Sequence, residues 1–277
     1  MKQTMKNILL VSDIDGTICP EFGVFPQRNI DAVKHFTELG GHFTLATGRH
    51  FSLVKELVKQ FEITTPLILV NGSCIYSFES KSFIYNKYLP KTAEKYLTEL
   101  SQHSALSLVR IMADDEQLYT TYMQGGAEPD ATEYTRRYIK TKSMNEIKHM
   151  NWRKVLLIFD PKNGDEFKNF VDSKNYPDVD FVSSSSFYYE MVPKGISKGN
   201  GLKMVAEMLN IDIKNTVAVG DYDNDLSMIK AAGLGVASGN AVECVKNAAS
   251  LIVCNSQDGC LGDVIEYLEK TTQDRRI

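Results

Sequence analysis

The stretch Ile8-Leu9-Leu10-Val11-Ser12-Asp13-Ile14-Asp15-Gly16-Thr17 runs an apolar segment straight into two aspartates one residue apart. A short apolar run bounded by polar residues is what a strand buried on both faces looks like, and such strands belong to parallel sheets. Side chains two apart on an extended chain point to the same side, so Asp13 and Asp15 face one reacting group while Ile14 packs inward. This is the layout of a nucleophile beside an acid. The competing reading is an acidic turn bent at Gly16, and later parts of the chain decide between the two.

Similar runs recur at 41–46, 66–70, 216–219, 234–237 and 251–253, separated by helix-like stretches at 28–39, 51–61, 199–209, 226–232 and 241–248. The alternation implies an α/β fold, an open parallel sheet covered by helices. Ligands of such sheets bind outside the carboxyl ends of the strands. Polar residues sit there: Asp13, Thr47, Asn71 and Gly220-Asp221 follow the first four runs. Between 83 and 190 the texture changes to a helix at 90–103, strand-like 106–112 and 117–123, an amphipathic segment with Tyr134, Tyr138 and Ile139, the run 155–159, a helix near 167–171 and alternation over 180–191. That mixture suits an α+β insertion, a cap over 83–190 interrupting a core made of 1–82 and 191–277.

A chain of 277 residues fits two domains or one with a large insertion. With 43% hydrophobic and 24% charged residues it reads as an ordinary globular protein. A net charge of -4 with scattered Lys and Arg provides no basic field, so no nucleic-acid partner is expected. The five cysteines are odd in number and never spaced Cys-x-x-Cys, which fits reduced thiols. No signal-like segment and no apolar stretch of membrane-spanning length is present, so the expectation is a soluble cytoplasmic protein without a membrane partner, monomeric or weakly self-associating.

Three further clusters carry chemistry. Thr47-Gly48 lies at a strand-to-helix junction, where a hydroxyl and unpaired amides suit a phosphate oxygen; an N-cap is the alternative. Lys198 precedes a helix, a poor place for a cation unless an anion is near. Gly220-Asp221-Tyr222-Asp223-Asn224-Asp225 concentrates three acids at one strand end, where they repel unless something positive compensates. Hard oxygen ligands beside Asp13 and Asp15 suggest Mg²⁺; an Asp-rich helix cap is the alternative.

Taken in order, Asp13-Ile14-Asp15-Gly16-Thr17, Thr47-Gly48-Arg49, Lys198 and Gly220-Asp221-Tyr222-Asp223-Asn224-Asp225 resemble the four motifs of the haloacid dehalogenase-like hydrolases, specifically the Cof-type phosphatases. The resemblance extends to Val70-Asn71-Gly72-Ser73 and to the segment from Ala231 to Ala241. It implies a Rossmann-like core with an inserted α+β cap, and Mg²⁺-dependent hydrolysis of phosphate esters through an aspartyl-phosphate. Carried over, Asp13 is nucleophile and metal ligand, and Asp15 is general acid and then base, its carbonyl also binding metal. Thr47, the Gly48 amide and Lys198 hold the phosphoryl group, Asp221 binds Mg²⁺, Asn224 contacts phosphate or substrate, and Asp225 orients Lys198 or metal-bound water. Arg49 is expected to anchor a helix or pair with a carboxylate.

The resemblance implies a small phosphorylated metabolite, a sugar phosphate above all, as substrate, with a cap that chooses the leaving group. Arg110, Tyr119, Tyr122, Tyr188 and Tyr189 are candidates for that choice, with sheet packing as the alternative for each. A phosphomutase or phosphotransferase using the same nucleophile, and a non-catalytic phosphometabolite-binding regulator, remain the other functional classes.

Overall fold

The computed structural model describes residues 5–20, 23–123 and 139–274. The chain divides into two compact units, Met1–Tyr85 with Ser197–Ile277, and Asn86–Ile196. In chain order, the first segment contributes strands β1 (Leu9–Ser12), β2 (His42–Leu45), β3 (Leu67–Leu69), β4 (Cys74–Ser77) and β5 (Ser82–Asn86). The insertion contributes β6 (Leu106–Ala113), β7 (Leu118–Met123), β8 (Ile139–Thr141), β9 (Trp152–Phe159), β10 (Val179–Ser185) and β11 (Tyr188–Pro193). The return segment contributes β12 (Thr216–Gly220), β13 (Leu234–Ala237) and β14 (Leu251–Ile252).

The first unit is built on a sheet of order β14-β13-β12-β1-β2 in which every neighbouring pair is parallel. Leu9, Leu10 and Val11 are fully buried, as both-sided coverage of a parallel strand requires. Val11 and Ala218 share one apolar cluster with Leu202 and Val205 of the helix Lys198–Met208 and with Met228 and Ile229 of the helix Leu226–Ala231. Each fully buried aliphatic side chain there contributes roughly 1.5–3 kcal/mol. Ser12 lies opposite Leu45 on one side and Val219 on the other, so Asp13, Ala46 and, one residue further on, Asp221 follow their strands at one edge. From β1 the chain winds to β2 on one side, and on its return to β12 on the other. The crevice of the sheet therefore opens between β1 and β12.

Two local features differ from the sequence expectation. The helix expected at 51–61 is a short helix Phe51–Val54 followed by a separate 3₁₀ turn Val58–Phe61. The tighter winding stacks Val58 above Phe61 and buries both. After β3 the chain forms an antiparallel three-stranded sheet, β3-β4-β5, absent from the sequence reading.

The second unit is a six-stranded sheet of order β10-β11-β9-β6-β7-β8, antiparallel except for β7 with β8. Leu97 and Leu100 of the helix Ala93–Leu100 and Phe167 and Val171 of the helix Gly164–Asp172 share one core with Val109, Ile111, Val155, Leu157 and Met191 of the sheet. Tyr119 and Tyr189 belong to that core, their hydroxyls donating to Asp115 at 2.5 Å and Asp172 at 2.6 Å. Both are packing residues of the sheet. Arg110 lies on the other face, in register with Leu156 and Thr120, where Leu108, Leu156 and Ile158 pack with Tyr188. Tyr134, Tyr138 and the Tyr122 side chain lie outside the described residues. Among the described residues no helix is long and apolar enough to cross a membrane.

Candidate active site

Asp13 is the first residue beyond β1, its N–H donating to Val219 O at 2.9 Å. The loop then turns at Gly16, whose φ of +77° favours glycine and whose missing Cβ leaves the space that the Asp221 carboxylate occupies. Thr17 donates from Oγ1 to Asp221 Oδ1 at 2.6 Å. Asn240 donates from Nδ2 to the Gly16 carbonyl at 2.7 Å and accepts the Ser256 N–H at 2.8 Å. The Asp-x-Asp loop and the Asp-rich loop after β12 are thus tied together by side chains.

Between these loops stands Lys198, the first residue of its helix and fully buried. Its Nζ lies 2.7 Å from Asp13 Oδ1 and 2.6 Å from Asp225 Oδ1. Asp225, also fully buried, uses its other oxygen to accept the N–H groups of Asp221 at 2.8 Å and Tyr222 at 3.1 Å. One oxygen from each of Asp13, Asp221 and Asp225 falls within 4.8 Å of the others. Three carboxylates against one ammonium leave two negative charges uncompensated if all are ionised. Burial and the repulsion of Asp225 accordingly raise the Asp13 carboxyl well above the usual carboxylate range, and the same two causes push Asp221 up to about 7. Burial works against the Lys198 ammonium, but the Asp13 and Asp225 carboxylates outweigh it and hold its pKa above the ordinary lysine value.

Asp15 has a different cationic partner. Both its oxygens are taken by Arg49, with Nε donating to Oδ2 at 2.8 Å and Nη2 to Oδ1, so Arg49 pairs with a carboxylate. Thr47, buried at the end of β2, accepts the Arg49 N–H on its hydroxyl at 3.1 Å and the Asn71 N–H on its carbonyl at 2.9 Å. Gly48 lies between them in the same bend. Val70 and Asn71 both have left-handed backbone, φ +52° and +55°, a costly conformation for a β-branched residue and one that surrounding contacts must enforce. The Val70 N–H donates to Arg49 O at 3.1 Å, and Gly72 packs against the Ser197 carbonyl. Asn224 Nδ2 reaches Asn71 Oδ1 at 3.4 Å, while its own Oδ1 is buried and accepts no hydrogen bond.

The structure therefore gathers Asp13, Lys198, Asp221 and Asp225 into one buried group, sets Asp15 on Arg49, and links Thr47 and Asn224 through Asn71. Thr17, Asn71 and Asn240 joined the site without having been given roles from sequence, although all three lie in the stretches that carry the resemblance. The donor chemistry fits a hard divalent cation. Asp225 is saturated by Lys198 and two amides, whereas Asp13 and Asp221 each keep an oxygen for a cation, whose charge would offset the excess negative charge.

The site is thus a group of buried aspartates at the crevice of an α/β sheet, in a chain with a second unit inserted. Residues 10–265 match the family described as haloacid dehalogenase-like hydrolase. The chain belongs to that family and is a phosphatase-type hydrolase. Among its relatives, the putative phosphatase YkrA of Bacillus subtilis is 30% identical over 90% of this chain and 92% of its own length. The 5-amino-6-(5-phospho-D-ribitylamino)uracil phosphatase YitU of the same organism is 23% identical over 95% and 98%. A haloacid dehalogenase-like hydrolase from Bacteroides thetaiotaomicron superposes with a TM-score of 0.80 at 26% identity, covering 95% of this chain and all of that one.

Proposed function

We propose that the chain is a Mg²⁺-dependent phosphatase that hydrolyses small phosphorylated metabolites, sugar phosphates first among them, through an aspartyl-phosphate on Asp13. The observation that carries this reading is the buried group of Asp13, Lys198, Asp221 and Asp225, short of two positive charges at the carboxyl edge of the sheet. Mg²⁺ held by Asp13, Asp221 and the Asp15 carbonyl would supply that charge and neutralise phosphoryl oxygens.

The chain's own residues do the rest. Asp13 attacks phosphorus through one carboxylate oxygen, and Lys198, Thr47 and the Gly48 amide offset charge on the phosphoryl oxygens. The phosphorus–ester oxygen bond breaks with its electron pair going to the leaving oxygen, which takes the proton of the Asp15 carboxyl. The Asp15 carboxylate then takes a proton from water as the water oxygen attacks phosphorus, and Asp13 leaves as a carboxylate with inorganic phosphate released. Asp225 positions Lys198, and Asn224 presents a polar group to phosphate or substrate.

The inserted unit, Asn86–Ile196, is the substrate-selecting cap in this reading. Support for a sugar-like substrate comes from YitU, whose name specifies a 5-phospho-D-ribitylamino compound. The reading makes the protein a cytoplasmic enzyme of a diffusible metabolite, monomeric or weakly self-associating, and its net charge of -4 accords with a partner other than nucleic acid. Replacement Asp13→Asn should abolish phosphate release from p-nitrophenyl phosphate with Mg²⁺ while the circular dichroism spectrum stays unchanged. Turnover at the wild-type rate would overturn the proposal.

A further inference from the structure

Arg49 is held more firmly than a salt-bridge partner at the surface needs to be. Its side chain is only 10% exposed, its N–H is bound to Thr47 and its carbonyl to Val70. From that fixed base its guanidinium grips both oxygens of Asp15, a side chain that is 52% exposed. A planar fork engaging both carboxylate oxygens fixes their plane as well as their position, which a single-point cation does not. The rigid member of the pair is Arg49, and the member with rotamers to lose is Asp15.

We infer that Arg49 is the positioning residue for Asp15, holding the acid/base carboxylate in one orientation across the two proton transfers of turnover. The inference rests on the proposed role of Asp15 as acid and then base. In the first transfer the Asp15 carboxyl gives its proton to the ester oxygen as that oxygen takes the electron pair of the breaking phosphorus–oxygen bond. In the second, the Asp15 carboxylate takes a proton from the attacking water. One side chain must arrive twice in the same place, and freedom to rotate in solvent works against both arrivals. When one oxygen carries the proton, the other still accepts from Arg49, so a contact that sets the orientation is retained through both transfers.

The consequence is selective. An alkyl phosphate needs the proton because an alkoxide leaves badly, whereas p-nitrophenolate leaves without one. The quantity to compare is kcat/KM with Mg²⁺ for ribose 5-phosphate or glucose 6-phosphate against p-nitrophenyl phosphate, since it reports the steps through formation of the phosphoenzyme. Arg49→Gln should lower the sugar phosphate value roughly ten- to a hundredfold and the aryl value less than about threefold. Arg49→Lys should recover part of the loss, in keeping with a one-point contact. On an Asp15→Asn background Arg49→Gln should change either value by less than about twofold, because the two residues act as one unit.

Equal losses on both esters, or a full Arg49→Gln effect in the Asp15→Asn background, would overturn the inference. So would loss of the fold in both Arg49 variants by circular dichroism, which would make Arg49 a stability residue. Asp13→Asn, run on the same two esters, separates this claim from the one beneath it. If phosphate release survives Asp13→Asn, the proposed chemistry falls and takes this inference with it. If Asp13→Asn is inactive while Arg49→Gln acts on both esters alike, only the role of Arg49 falls.

Discussion

β12 in the parallel sheet and β9 in the inserted sheet are both buried along their whole length, yet they handle polar groups in opposite ways. β12 reads Thr-Val-Ala-Val-Gly and expels its charges to the loop beyond, Asp221 to Asp225. β9 keeps Arg153 and Lys154 inside the strand and neutralises both, Lys154 with Glu190 of β11 at 2.9 Å and Arg153 with Glu116 in the turn between β6 and β7 at 3.0 Å. The contrast follows from coverage. A parallel strand covered by helices on both faces has no room for charge except at its ends, so the charges of several strands collect at one edge. An antiparallel sheet with helices on one face can carry charge on the other. Concentrated charge at a strand end gives the group of Asp13, Asp221 and Asp225 around Lys198, while neutralised charge within a strand builds a scaffold.

Removing a charge partner from the parallel sheet should have the largest effect. Lys198→Met leaves Asp13 and Asp225 buried without their cation, and the loss should be about 3–5 kcal/mol of unfolding free energy by urea titration at pH 8. A loss below about 1 kcal/mol would mean that the charges at the edge are not coupled as described. Phe167→Ala empties the core of the inserted sheet at a cost of about 3–5 kcal/mol. Hydrogen exchange should show amides of β9 losing protection while those of β12 keep theirs, and equal loss in both would make the two sheets one cooperative unit.

The third effect is set by pH. The folded pKa of Asp221, about 7, lies above the ordinary value of 3.8, so the folded state holds an extra proton between them. Its contribution to stability is complete below about pH 4 and is lost as pH rises through about 7. A divalent cation bound there would replace that proton. Mg²⁺ at a hundred times its pH 8 dissociation constant should stabilise the protein by about 2.7 kcal/mol at pH 8, and the same concentration should raise the melting temperature less at pH 5. A shift independent of pH would place the cation away from the aspartates. The smallest effect is Thr17→Val, which deprives Asp221 of its hydroxyl donor and should cost about 1.5 kcal/mol, with Thr17→Ser near wild type in both stability and Mg²⁺ affinity. If Val and Ser variants behave alike, the hydroxyl does not orient Asp221.

The same contrast governs how much could be read before the structure. Asp13, Thr47, Asn71 and Asp221 announce themselves because each ends an apolar run, and Lys198 because a cation at a helix start is out of place. The partners of those residues do not. Thr17 to Asp221 spans 204 positions and Asn240 to Gly16 spans 224, separations that no local pattern encodes. Asp15 looks from its spacing like the twin of Asp13, yet it pairs with Arg49 while Asp13 pairs with Lys198, a tertiary pairing that alternation cannot show. In the insertion, Tyr119 and Tyr189 carry the same aromatic signal whether they bind ligand or fill a core, and only the sheet register decides. The β4–β5 hairpin escapes because β5 alternates between exposed and half-buried residues and presents no strong apolar run. The helix Cys260–Asp274 had a signal, Leu261, Val264, Ile265 and Leu268 at helical spacing, outside the strand ends on which the sequence reading concentrated.

The central claim is that Asp13 receives the phosphoryl group, and rapid acid quench of the enzyme during turnover of a sugar phosphate with Mg²⁺ tests it most directly. Peptide mass spectrometry should find the phosphoryl group on the peptide containing Asp13 in the wild type and on none in Asp13→Asn. A phosphoryl group trapped on another residue, or phosphate released by Asp13→Asn at an undiminished rate, would contradict the account.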